Sequence, residues 1–180
     1  MKWVRNSLIC ILLVFGGLCV WIGPKIDWKI FSSTKKSVGC AFCNPDVLKL
    51  NTFYEGKEAL GLLTYKPACE GHRLVLPKRH VVRFEDLTDT EMVEIKEIIR
   101  KIDRVSQKMY GSTGYLLLEK NGREAGQEVP HVHFHYMPRS QNQSHLMFAL
   151  KILLRAYFKP TPIEEMRKEA ELLSDEMSYQ

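Results

Sequence analysis

Residues 131–135 read His-Val-His-Phe-His, so three of the six histidines stand at every second position. In an extended strand alternate side chains share a face. His131, His133 and His135 therefore project together, while Val132, Phe134 and Tyr136 pack behind them. Imidazole is the side chain best suited to act as nucleophile, base or ligand near neutral pH. The stretch is thus committed to a strand with one apolar face and one chemical face. Two chemistries remain open for it, nucleophilic attack and metal ligation.

A chain of 180 residues holds one ordinary domain plus an appendage, and here the appendage is N-terminal. Residues 7–22 carry no charge and are mostly apolar, with Lys2 and Arg5 before them and Pro24, Lys25 and Lys29 after. Residues 1–23 therefore read as a transmembrane anchor or a signal segment. The apolar run approaches the roughly 20 residues a bilayer needs, and no small-residue cleavage site follows it. This favours an uncleaved anchor that engages the membrane through residues 4–23, with Trp3 and Trp21 near the two interfaces. Residues 24–39 form a polar linker.

The formal charge of +5 is confined to residues 1–39, where Lys2, Arg5, Lys25, Lys29, Lys35 and Lys36 face only Asp27. From residue 40 onward the charge sums to zero, so the folded part carries no field to recruit DNA or RNA. The basic flank suits anionic headgroups instead. Its lysines lean toward a membrane-anchored protein with its folded domain on the cytoplasmic side, whereas an extended signal-anchor reading gives the opposite orientation.

Short apolar alternation over 53–63, broken by Glu55-Gly56-Lys57-Glu58, predicts a hairpin. His72 to Leu76 reads as a further strand closed by Pro77. Thr88 and Glu91 form a capping box, and Met92, Ile95, Ile98, Ile99, Ile102, Val105 and Met109 then recur at helical spacing. A core-packing helix over 88–109 follows, ended by Gly111 and Gly114. Tyr115 to Leu118 is a strand, and Asn121-Gly122 starts the turn toward the histidines. A second apolar stripe (Leu146, Met147, Leu150, Leu153, Leu154, Tyr157) predicts a helix that packs on the domain, mediates association or lies on the membrane, with packing the first expectation. Another opens at Thr161-Pro162 with Glu164 and Glu165 in its first turn.

Cys40 and Cys43 are the only two of the five cysteines that make a pattern. A C-x-x-C alone admits a metal pair, a redox dithiol or no role. His80 and His131, at loop-to-strand positions, would complete a tetrahedral Cys₂His₂ set.

The stretch Gly114 to Arg139 resembles the histidine triad family, whose signature His-φ-His-φ-His-φ-φ, with φ apolar, fits residues 131–137. Ala125-Gly126-Gln127-Glu128-Val129-Pro130 before it and Pro138-Arg139 after it match bacterial members. Upstream, the run from Gly71 to His80 resembles the family's second sheet strand, and Glu85 to Thr88 its entry to the long helix. The resemblance implies an α+β fold with an antiparallel sheet of about five strands, one long helix and C-terminal helices. The histidine triad domain would occupy 40–140, with a C-terminal helical extension over 141–180.

It also implies cleavage at the α-phosphate of nucleotides through a covalent nucleotidyl-histidine. His133 would attack, with its other ring nitrogen held by a backbone carbonyl near His131. His135 and Gln127 would hydrogen-bond a phosphoryl oxygen, and Gly126, Glu128 and Val129 would line the phosphate loop. His72 would stand near the phosphate, and Asn121 in the adjoining turn. Thr64 occupies the position where the family commonly has an Asp or Asn on the ribose. Lys120 stands where an asparagine is common. Zinc-containing members resemble the Cys40, Cys43, His80 and His131 pattern, which implies a structural zinc and a reducing compartment. A homodimer is implied as well. Two other readings stay open: a His₃ catalytic zinc built from the triad, and a nucleotide sensor with negligible turnover.

Overall fold

In a computed structural model the described residues are 39–154 and 160–178. Five strands form one antiparallel sheet in the order β1-β2-β3-β5-β4: β1 Thr52–Glu55, β2 Ala59–Leu63, β3 Arg73–Pro77, β4 Gly114–Glu119 and β5 Phe134–Arg139. Four α-helices accompany it: α1 Pro45–Asn51, α2 Asp89–Tyr110, α3 His145–Leu154 and α4 Ile163–Ser178. The expected α+β architecture is therefore present.

Period-two alternation gives the sheet two different faces. Leu60 pairs with Leu76, Leu62 with Leu74, and Leu74 with His135, so these residues share the side on which the triad strand displays its chemistry. Val75 and Phe134 pair on the opposite side. There they join Tyr136, Ile95, Ile98, Ile102 and Val105 in the main core.

α2 forms where its capping box and apolar stripe predict. The Thr88 side chain accepts from the Glu91 N–H, and the Glu91 carboxylate accepts from the Thr88 N–H. Gly111 ends the helix at φ +59°, a left-handed conformation that costs glycine little. α4 contributes Met166, Ala170, Leu173 and Met177 to the same core. α1 was not anticipated. Its signal is local: Asn44 accepts from the Asp46 N–H, and Pro45 stands at the first turn.

Three expectations are corrected. The stripe on α3 does not pack as predicted, since Leu146, Met147, Leu150, Leu153 and Leu154 are exposed. Only its Phe148 edge is buried, against Ala68 and Met137. The triad strand is shorter than its histidine spacing suggests. Its ladder begins at Phe134, and His131 and His133 lie in the lead-in that follows Pro130. The membrane-anchored placement is overturned: no helix among the described residues is long and apolar enough to cross a membrane. The segment 4–23 on which it rested lies outside the described residues, as does most of the 24–39 linker.

Candidate active site and metal centre

In the lead-in to β5, His131 and His133 are oriented by contacts whose donors are unambiguous. A carbonyl can only accept, so His133 donates its Nδ1–H to the His131 carbonyl at 2.7 Å. The lone pair of the neutral ring then sits on Nε2. Likewise His131 donates Nε2–H to the Pro77 carbonyl at 2.9 Å, which leaves Nδ1 as its ligand atom.

His135 is fixed from the other side of the sheet face. The Ala68 backbone N–H donates to His72 Nδ1 at 2.9 Å. His72 must then carry its proton on Nε2, which lies 3.0 Å from His135 Nδ1. That makes His135 Nδ1 an acceptor and puts the His135 proton on Nε2. All four histidines are buried.

His133 and His135 open onto a cavity of about 580 Å³. Phe42, Leu50, Leu63 and Leu74 give it an apolar wall, and Thr64, Lys120, Gly126, Glu128 and Val129 line it near the histidines. Phe42 meets the His133 ring edge-on, at 5.1 Å between centroids. An apolar slot ending at two oriented imidazoles suits a flat base carrying a phosphate.

Three of the predicted substrate contacts also make hydrogen bonds within the protein. The Gln127 carboxamide accepts from the Gly122 N–H at 2.9 Å and donates to the Val82 carbonyl at 3.1 Å. Asn121 accepts from the Phe84 N–H at 3.2 Å and donates to Glu85 at 2.7 Å. Both side chains brace the turn that leads to the triad. His72 is used by Ala68 and His135, and it lines a neighbouring cavity rather than this one. Phe42 and Lys66, by contrast, line the cavity without having been anticipated. Phe42 was foreshadowed only by standing inside the C-x-x-C.

Cys40, Cys43, His80 and His131 come together beside the triad, with their ligand atoms all within 4.8 Å of one another. Cys40 Sγ lies 3.4 Å from His131 Nδ1, Cys43 Sγ 3.4 Å from His80 Nδ1 and 3.7 Å from His131 Nδ1. Zinc bonds of about 2.3 Å to sulfur and about 2.0–2.1 Å to nitrogen imply tetrahedral S···N edges of about 3.5 Å. The four residues thus fit a tetrahedral metal. The Pro77 carbonyl fixes the His131 tautomer, as an outer-sphere partner of a ligating imidazole does. Burial pushes the His131 imidazole down, toward the neutral form a metal needs, and pushes the Cys40 thiol up.

Comparison with known proteins agrees with this geometry. The HIT domain family matches residues 47–142. The asymmetrical bis(5'-nucleosyl)-tetraphosphatase of Schizosaccharomyces pombe is 37% identical over 89 residues, which is 49% of this chain and 49% of that protein. The chain thus spans about half of that relative's length. Adenosine 5'-monophosphoramidase HNT1 of Saccharomyces cerevisiae is 32% identical over 132 residues, covering 69% of this chain and 81% of that one. Among solved structures, a zinc-bound histidine triad family protein from Mycobacterium smegmatis shares the fold. Its TM-score is 0.59 at 23% identity, over 78% of this chain and 94% of that one.

Proposed function

The chain belongs to the HIT domain family, and from that premise we propose that it hydrolyses nucleotides by passing the nucleotidyl group first to His133 and then to water. The two named relatives are hydrolases of nucleotides, one of a polyphosphate and one of a phosphoramidate. Both would be cut at the phosphorus attached to the nucleoside. The observation that carries the reading is the 2.7 Å hydrogen bond from His133 Nδ1–H to the His131 carbonyl. It holds the tautomer in which Nε2 is nucleophilic.

In the first step the Nε2 lone pair forms a P–N bond as the bond from the α-phosphorus to the leaving group breaks. A leaving nitrogen takes up a proton from solvent and departs as the amine, and a leaving phosphate oxygen keeps the bonding pair and departs as the anion. His135 Nε2–H donates to a phosphoryl oxygen, where positioned donors count most. In the second step water attacks the α-phosphorus. Its oxygen remains on the nucleoside monophosphate, its proton passes to solvent, and the electron pair of the P–N bond returns to Nε2 of His133. Backbone N–H groups around Gly126, Glu128 and Val129 are the remaining phosphate contacts of this reading, and Thr64 is its ribose contact.

Cys40, Cys43, His80 and His131 would hold a zinc ion with four protein ligands and no open position, so the metal would tie the Ala41–Cys43 turn to the triad and support the fold. The His₃ catalytic alternative is disfavoured because His131 alone of the triad joins the metal-binding group. A homodimer is also part of the proposal. β4 is an edge strand with Tyr115, Leu116 and Leu117 exposed, and pairing with a second copy would cover it.

The test is intact-mass spectrometry of the full chain quenched during turnover of adenosine 5′-phosphoramidate. Wild type should carry a transient adduct of one adenylyl group, and His133→Ala should carry none and lose activity. Nucleotide binding without adduct or turnover would replace the proposal with the sensor reading.

A further inference from the structure

Lys120 is the residue whose placement the proposed reaction does not use. The β4–β5 register pairs Leu118 with His135 and Glu119 with Phe134. Continuing that register by one residue, just past the end of the ladder, would set Lys120 opposite His133. Opposite residues of an antiparallel pair share a face, with Cβ atoms about 4.5–5.5 Å apart. The side chain continues over the phosphate turn. Its Nζ lies 3.7 Å from where a Cβ on Gly126 would stand, and it lines the cavity with His133 and His135.

This ammonium is half-buried, and among the described residues no carboxylate pairs with it. Lys78 and Lys108, by comparison, each hold a glutamate at 2.7 and 2.6 Å. Asp46 and Glu128 line the same cavity. A half-buried cation kept without a partner beside a nucleophile is matched to charge that arrives with the substrate.

We infer that Lys120 is a specificity-determining residue that favours nucleotides whose leaving group is itself a phosphate chain over those that release an amine. The inference rests on attack by His133 at the α-phosphate. Phosphoramidate cleavage releases an uncharged amine, and anhydride cleavage releases an oxygen that takes up negative charge as the P–O bond breaks. An ammonium beside His133 stabilises the second transition state far more than the first. Lys66, Asp46 and Glu128 line the cavity as well, so its formal charge is balanced and the effect assigned to Lys120 is local to the leaving group.

The experiment compares kcat/KM for diadenosine tetraphosphate and adenosine 5′-phosphoramidate in wild type, Lys120→Met and Lys120→Arg, with calorimetric titration of AMP and ATP on each. One charge-assisted hydrogen bond is equivalent to roughly 10- to 100-fold. Lys120→Met should therefore lower the tetraphosphate-to-phosphoramidate ratio of kcat/KM by at least about tenfold, with Lys120→Arg restoring most of it. The ATP-to-AMP affinity ratio should fall in the same order. Equal losses on both substrates with an unchanged affinity ratio would overturn the inference. Should wild type turn over neither substrate, the nucleotidyl-transfer reading fails by itself. The titrations then decide the role of Lys120, and an unchanged ATP-to-AMP ratio in Lys120→Met overturns it.

Discussion

His72 Nε2 lies 3.0 Å from His135 Nδ1, and the proton between them belongs to His72 because the Ala68 N–H occupies its other nitrogen. The arrangement puts the His135 proton on Nε2, the nitrogen that donates to a phosphoryl oxygen in the proposed reaction. His72→Ala removes that bias, and His135 would then sample the tautomer that presents a lone pair to a phosphoryl oxygen. A drop in kcat of roughly 10- to 100-fold is expected, the lower end of what one positioned proton donor contributes. KM should move less, and the ¹⁵N shifts of His135 should report mixed tautomers. Unchanged kcat with an unchanged His135 tautomer would remove His72 from this role.

Beside His72, the buried Arg73 guanidinium donates to the His72 carbonyl at 3.0 Å, to the Tyr110 hydroxyl at 3.0 Å and to Glu169 at 2.5 Å. Glu169 comes from α4, beyond the residues that match the HIT domain family. The side chains are 4% and 35% exposed, so solvent screens the glutamate end only in part. Glu169→Ala leaves a buried cation short of its counter-charge. About 1–3 kcal/mol of stability should be lost, below the full cost of breaking a wholly buried pair. Urea unfolding followed by circular dichroism measures it, and a midpoint equal to wild type would refute the estimate.

Removing the proposed zinc should loosen the cavity wall as well as the fold, because Phe42 stands between Cys40 and Cys43 and packs on His133. Full-length protein is expected to bind close to one zinc per chain. His80→Ala should fall well below that and melt at a lower temperature, as loss of a structural metal predicts. His133→Ala should keep the metal in full. Elemental analysis with thermal unfolding distinguishes the cases, and zinc lost from His133→Ala would revive a catalytic metal at the triad.

Much of this arrangement is local and therefore legible in the chain. The hairpin over 52–63, the Thr88–Glu91 box and the alternation that buries Val132, Phe134 and Tyr136 behind the histidines all depend on residues a few positions apart. The pairing of the Cys40 and Cys43 thiols with His80 and His131 was foreseen through spacing and resemblance together. Gln127 and Asn121 could not be read in the same way. Their amides bond to Val82 and Phe84, partners 45 and 37 residues distant that only the folded turn brings near. The apolar spacing of α3 also misled, because periodicity marks an amphipathic face without naming what covers it.

The acid limb of stability should depend on Glu91. Its carboxylate accepts from Arg79 Nε and Nη2, both at 2.9 Å, and from the Thr88 N–H at 2.8 Å. The Arg79 hydrogen bonds, with help from Thr88, hold this buried carboxyl below the usual glutamate range. Because Glu91 takes up its proton less readily folded than unfolded, it favours folding above about pH 4.3, the unfolded glutamate value. That contribution fades as the pH falls through the lower, folded value. Glu91→Gln keeps the shape and removes the charge. Near neutral pH it should cost about 1–2 kcal/mol, the scale of a lost cap and a half-exposed ion pair. Arg79 precedes the metal ligand His80, so the variant should also bind zinc more weakly. Urea midpoints measured from pH 7 down to pH 3 should show the gap to wild type closing with acidity. A gap that stays constant across that range would mean that packing, and not the charge of Glu91, anchors the start of α2 to the metal loop.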